Sequence, residues 1–199
     1  MRTLMKNPAF LLVLLATPLA GCISFGAKPP ASYLTLDPAA AIAVGDGQSS
    51  ASSPTITIAV PAVPQELATQ RVPVHAGGQA IAYVKDAMWV EQPARLFARL
   101  LSDTVTSRTG RVVLSGRQSQ LDPGAQLSGE LRRFGIDETT SEAVVTFDAS
   151  LMRGTAAVFE KRRFEARVPV AAIETAPVGA ALNQAANQVA GQIADWIGR

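Results

Sequence analysis

Residues Ala143 to Arg153 read "AVVTFDASLMR", and their side chains sort by twos. Val145, Phe147, Ala149 and Leu151 fall to one side, while Thr146, Asp148 and Ser150 fall to the other. A period of two marks a β-strand with one covered face. The neighbouring stretches behave alike. Ala125 to Phe134 is a second long strand. In Ala156 to Val168, the residues Val158, Phe164, Ala166 and Val168 share a face that Glu160 and Arg162 interrupt. Arg153-Gly154 makes a tight turn between the last two. Three such strands in succession predict an antiparallel meander, covered on one side.

The apolar side has to be buried by something, and two segments can do it. In "EQPARLFARLLSDTVTSRTG" (Glu91 to Gly110), Ala94, Phe97, Leu100, Leu101 and Val105 recur at three- and four-residue steps. Pro93 suits the first turn of a helix and Gly110 its end. Glu91/Arg95 and Arg99/Asp103 are i,i+4 pairs for its solvent side. Val178, Leu182, Ala185, Val189, Ile193 and Trp196 line one face of a C-terminal helix, with Asn183, Gln184, Asn187, Gln188 and Gln192 on the other. Shorter strands are expected at "SYLTL" (Ser32 to Leu36), "TITIAVPAV" (Thr55 to Val63, apolar on both faces and so central) and "RVVLSG" (Arg111 to Gly116). "RVPVHAGGQAIAYV" (Arg71 to Val84) predicts two strands turning at Gly77-Gly78. Asp37 to Pro54, rich in Ala, Ser and Gly, predicts a flexible loop. The expected fold class is mixed α+β (α/β): one mixed, largely antiparallel sheet packed by two main amphipathic helices.

The N-terminus carries a different signal. Arg2 and Lys6 precede the apolar block "AFLLVLLATPLA" (Ala9 to Ala20), and the only cysteine, Cys22, follows it. A basic start, a short apolar run and small residues make a secretory signal peptide. The block falls short of the roughly 20 apolar residues that a membrane-spanning helix needs. Leu19-Ala20-Gly21-Cys22 resembles the bacterial lipobox. That resemblance implies cleavage between Gly21 and Cys22, a diacylglycerol on the thiol and an acyl chain such as palmitate on the new amine. The competing readings are a buried helix cysteine and ordinary cleavage that leaves a free thiol. Residues 1–21 are then the signal peptide, 22–31 the lipidated cysteine and its tether, and 32–199 one domain.

Cleavage changes the charge balance. The 18 Lys and Arg fall to 16 once Arg2 and Lys6 leave, against 16 Asp and Glu. A neutral domain has no electrostatic footprint for nucleic acid. Attachment to a membrane comes from the acyl chains instead: one chain binds marginally, while two or more hold stably. With Cys22 modified, no disulfide is expected.

The chain offers no catalytic constellation. His75, the sole histidine, has no G-x-S-x-G partner, because Ser115 sits in "LSGR". It is expected to be a solvent-facing hairpin histidine. Zinc needs three or four Cys, His or carboxylate ligands, and no metal site is expected. Glu130 and Asp148 could form a glycosidase-like carboxylate pair. The competing expectation, which the local sequence favours, is pairing with Arg132, Arg133 or Arg162 on a polar face. Trp89 is read either as a core residue at the entrance of the first helix or as an aromatic anchor for a partner.

Taken in order, these marks resemble the ABC-type transport auxiliary lipoprotein family. They are the lipobox, "YLTL", "VPAVPQELATQRVPV", a hairpin, "MWVEQPARLFARLL" and a late meander with a closing helix. The family includes the lipoprotein encoded by paraquat-inducible operons. The Asp37 to Pro54 loop departs from the pattern as an insertion, and Leu67 to Val74 matches loosely. The resemblance implies a non-enzymatic lipoprotein, without cofactors beyond its lipid, on the periplasmic face of the outer membrane. It also implies an MCE-domain carrier as partner, within an ABC-type system that moves lipids between membranes, and a homo-oligomeric ring in some members. Arg71, Met88 and Trp89, with the loop before Arg71, are the candidate contacts. A structural envelope lipoprotein that binds peptidoglycan, and less readily a hydrolase, are the competing functions.

Overall fold

The computed structural model describes residues 30, 32–122, 124–154 and 158–198. The expected signal peptide (1–21), the cut between Gly21 and Cys22, and all of the expected tether (22–31) except Pro30 lie outside them. Ala156 and Ala157, at the head of the third meander strand, lie outside as well. In chain order the elements are β1 (Thr55–Ile58), β2 (Arg71–His75), β3 (Ile81–Met88), α1 (Pro93–Thr109), β4 (Val112–Leu114), β5 (Ala125–Asp137), β6 (Glu142–Met152), β7 (Phe159–Pro169) and α2 (Thr175–Ile197).

The long strand β5 organises the sheet. Along one edge it pairs antiparallel with β6 from Gln126↔Met152 to Asp137↔Glu142, and β6 pairs antiparallel with β7. This is the expected meander. The other edge of β5 is shared end to end by two short strands, both parallel to it. β1 takes the first part (Ile56↔Ala125) and β2 the last (Val74↔Ile136). Between them the chain stays on the same edge, with Ala62 donating to the Gly129 carbonyl at 3.0 Å and Leu131 donating to Ala62 at 2.9 Å. β4 adds to β1 in parallel and β3 to β2 antiparallel, which makes seven strands in one mixed sheet.

β1 stops at Ile58 rather than at the expected Val63. Pro61 and Pro64 supply no N–H, so a continuous ladder cannot form there. "SYLTL" is not a strand either. It contributes one parallel bridge, Leu34 to Trp89.

Both helices lie on one face of the sheet. Pro93 opens α1, and Gly110 closes it with φ +68°, its N–H reaching Thr106 O at 3.0 Å. Phe97 meets Phe147 at 5.4 Å between ring centroids, and Trp196 of α2 meets Phe164 at 5.5 Å. Phe97 and Phe147 are almost wholly buried, and each such side chain contributes about 1.5–3 kcal/mol through burial. The helix pair is joined by Arg108 and Asp195 at 2.7 Å. The expected α1 pairs are rearranged, because Arg99 reaches back two turns to Glu91 rather than to Asp103. Burial raises the Asp103 carboxyl pKa, and the Arg99 charge offsets only part of that rise. Among the described residues, no helix is long and apolar enough to cross a membrane.

Candidate functional site

Arg71 and Met88 are brought face to face as the first residue of β2 and the last of β3. The pairing around them is irregular. From Arg71 to Pro73 the strand takes two steps, while its partner runs from Met88 to Tyr83. The surplus bulges outward, and Asp86 adopts φ +57°, a left-handed conformation that few non-glycine residues hold. Bulges of this kind re-aim side chains at a sheet edge. Lys85 and Asp86 are exposed on the bulge, and the Arg71 guanidinium lies 4.0 Å from the centre of the Tyr83 ring. Stacking fixes an otherwise mobile cation. Pro30, Arg71, Val84, Lys85, Asp86, Ala87 and Met88 surround a recess of about 310 Å³.

Trp89 is not on this surface. Its side chain is 0% exposed and packs 5.3 Å from Phe134, tilted by 57°. Of the two readings of Trp89, the structure places it in the core. Its indole cannot itself touch a partner in this arrangement. Among the described residues its Nε1 has no hydrogen-bond acceptor. The backbone around it is held from both sides. Trp89 N donates to Gln70 O at 2.7 Å, Leu34 N to Met88 O at 2.7 Å, and Val90 N to Leu34 O at 2.9 Å. Side chains not singled out in the sequence complete the joint: Gln70 Nε2 donates to Val90 O at 2.9 Å, and Gln92 Nε2 to Ala68 O at 3.0 Å. The loop before Arg71 and the segment after Met88 therefore form the two walls of one groove. It measures about 550 Å³ and is lined by Ala68, Thr69, Gln70, Glu91, Gln92 and Arg95. Tyr83, Lys85, Gln70 and Gln92 belong to this site, and only the bulge and the loop pairing reveal them.

The helix-free face of the sheet is a field of ion pairs. Arg163 grips Asp148 through Nε and Nη2 at 2.6 and 2.7 Å, and Arg132 reaches Glu130 at 3.3 Å and Asp148 at 3.9 Å. Arg133 pairs with Asp137 at 3.3 Å, while Arg167 contacts Glu165 at 2.8 Å and Glu142 at 3.3 Å. Pairing of Glu130 and Asp148 with arginines is as expected, but of the three arginines named only Arg132 takes part, since Arg133 turns to Asp137. Arg162 falls on the helix side, 5.1 Å from the Phe164 ring, so Arg163 takes its place. Hydrogen bonds from Arg163 hold the Asp148 carboxyl below the usual carboxylate range, outweighing its burial. Burial pushes Asp137 and Glu165 upward, yet hydrogen bonds from Arg133 to the first and from Arg167 and Thr146 to the second bring both below that range. A carboxyl held ionised in this way is a poor proton donor. The arrangement of Asp148 suits an ion pair.

His75 lies at the hairpin end as expected, but it is half-buried, 3.4 Å from Glu66 Oε1. Ser115 Oγ donates to Gln118 Oε1 at 2.9 Å, away from His75. Among the described residues, no group of three or more His, Cys, Asp or Glu could hold a metal ion. Gly21 and Cys22 lie outside the described residues.

Comparison with known proteins adds three findings. A family model described as "ABC-type transport auxiliary lipoprotein component" matches residues 34–194. The crystal structure of protein XCC0632 from Xanthomonas campestris, of family DUF330, superimposes with a TM-score of 0.70 at 19% identity, covering 84% of this chain and 94% of that one. A second crystal structure, of an uncharacterized protein, gives 0.61 at 18% identity, covering 72% and 92%. These likenesses show a shared fold. Among curated proteins there is no match.

Proposed function

Because the chain belongs to the ABC-type transport auxiliary lipoprotein family, we propose that it is the outer-membrane lipoprotein that docks the MCE-domain carrier of an ABC-type system moving lipids between membranes. The observation that carries this reading is the family match over residues 34–194 directly behind Leu19-Ala20-Gly21-Cys22. In this reading Cys22 bears the diacylglycerol and the N-acyl chain, and those chains hold the domain on the periplasmic face of the outer membrane. Ile23 rather than an aspartate follows Cys22, and the lack of an acidic residue next to the lipidated cysteine favours the outer membrane over retention at the inner one. The protein acts by binding rather than by catalysis.

Docking falls to the surface around Arg71 and Met88. Its features suit a protein contact: a stacked arginine, an adjacent methionine and a groove shaped by the Ala68–Gln70 loop. Trp89 contributes from beneath by fixing the backbone that carries Met88 and Val90. The test is recovery of an MCE-domain protein with the native acylated lipoprotein solubilised in mild detergent. Repeated recovery of the lipoprotein alone, from cells that contain the carrier, would refute the docking role.

A further inference from the structure

The Asp37 to Pro54 loop is not featureless. Ala39 to Val44 is an unbroken apolar run on the surface, with Ile42 45% exposed and Val44 fully exposed. Runs of this length are avoided on soluble surfaces unless they meet something. The run is also presented by a built support. Asn183 Oδ1 accepts from Asp37 N at 2.9 Å, Asn187 Oδ1 accepts from Ala39 N at 2.7 Å, and Asn187 Nδ2 donates to Asp37 O at 2.9 Å. Beyond this clamp the chain turns, with Asp46 N reaching Ala43 O at 3.2 Å and Gly45 at φ +97°. Ile42 and Val44 therefore stand at the tip of a loop whose base is fixed to α2.

We infer that this tip dips into the surface of the bilayer that holds the acyl chains of Cys22, setting the orientation of the domain on the membrane. The proposal rests on the anchoring reading above. Its occupant follows from chain length and composition. Cys22 and Pro30 are eight residues apart, a span of at most about 29 Å, so Pro30 stays within that reach of the lipid. From there one segment leads through the Leu34 bridge to the asparagine clamp and directly into the loop. Between Pro38 and Pro54 the only charge is Asp46, and Trp, Tyr and Arg, which dominate protein interface hot spots, are absent. Small aliphatic residues on a Gly- and Ser-flanked loop fit a soft, apolar partner. Anchoring makes a weak contact sufficient, because the bilayer is held at high effective concentration.

The experiment uses the acylated protein in vesicles of phosphatidylethanolamine and phosphatidylglycerol. An environment-sensitive dye is placed on Val44→Cys or, as control, on Leu121→Cys, an exposed position between β4 and β5. Flotation reports the anchor, and quenching of the dye by spin-labelled lipid reports the loop. Expected are flotation of both proteins, a several-fold brighter and quenchable dye at position 44, and an unchanged dye at 121. Adding Ile42→Asp should abolish the quenching and leave flotation intact. A floating protein whose dye at 44 behaves like that at 121 overturns the proposal. So does a change at 44 that grows with protein concentration without vesicles, or one that appears only when the carrier is added, since the occupant is then a second copy or the carrier. Failure to float sinks the anchoring reading and the proposal with it.

Discussion

Arg153 closes the end of α2 by donating to the Trp196 carbonyl at 3.2 Å and to the Ile197 carbonyl at 3.1 Å, while its Nε holds Glu160 at 2.8 Å. One guanidinium thus ties the β6–β7 turn to the C-terminus of a 23-residue helix. The last carbonyls of a helix lack partners and carry the negative end of its dipole, so a cation there is favourable. Arg153→Ala is expected to destabilise the domain by about 1–2 kcal/mol, with part restored in Arg153→Lys, which keeps the charge but not the fork. Urea denaturation measures the loss, and hydrogen exchange should place it in the last turn of α2.

Two glycines separate rigid from yielding surroundings. A Cβ on Gly129 would lie 2.2 Å from the Asp148 carbonyl oxygen and 2.6 Å from Phe147 Cζ, so the main chain of β6 blocks it. Gly129→Ala is expected to cost more than about 2 kcal/mol, as overpacking does where backbone cannot move. At Gly179 the obstacle is Leu34 Cδ2 at 2.6 Å, the far end of a flexible side chain. Gly179→Ala gains about 1 kcal/mol of helix propensity, and Leu34 can rotate away. Its effect on unfolding should be small, whereas exchange of the Val90 amide bonded to Leu34 O should quicken.

Acid should weaken the helix-free face. Asp137, Asp148 and Glu165 titrate below the ordinary carboxylate range in the folded protein. Groups depressed in this way lend stability that is fully present above their unfolded values, near 3.9 for Asp and 4.3 for Glu, and is lost as pH falls through the folded ones. The urea midpoint is therefore expected to hold near pH 6–7 and to drop below about pH 4. Asp148→Asn should be less stable than the parent at neutral pH, with the two curves converging at the acid end. Asp103 has the opposite sign, since its folded pKa is raised. Asp103→Asn is expected to stabilise the domain at pH 7, with the gain vanishing in acid. A midpoint unchanged between pH 7 and pH 3 would contradict the assignment of these pairs.

The meander and both helices were legible because their signals are local. Alternation at Val145, Phe147, Ala149 and Leu151, and the brackets Pro93 and Gly110, each need only a few neighbouring residues. What local signals do not carry is the choice of partner. Nothing within "TITI" or "RVPVH" says that both will lie parallel along one edge of β5. Parity failed where a residue was inserted. The bulge between Leu131 and Arg133 sets Arg132 outside the alternation, and the one at Asp86 builds the recess beside Arg71. The sequence shows only that the amides share the polar face of α2, whereas the fold sets Asn183 and Asn187 to clamp a segment nearly 150 residues away in sequence. In the candidate site, Arg71 and Met88 were visible as residue types, whereas Tyr83, Lys85 and the groove follow from pairing that only the fold supplies.

The docking surface separates residues that touch a partner from one that supports them. Arg71 is exposed and Met88 partly so, while Trp89 is enclosed. Arg71→Glu combined with Met88→Asp should leave the thermal midpoint nearly unchanged, because neither side chain fills the core, yet it should abolish recovery of the carrier. Trp89→Phe sheds ring volume but also removes a buried N–H that has no acceptor among the described residues; the two effects oppose each other, so the net cost should stay within about 1 kcal/mol. Carrier recovery by that variant should persist. Trp89→Ala should cost about 3–5 kcal/mol and lose the carrier only to the extent that it unfolds. If Trp89→Phe lost the carrier at full stability, the indole itself would have to reach the partner. The Leu34–Trp89–Gln70 joint would then have to open on binding.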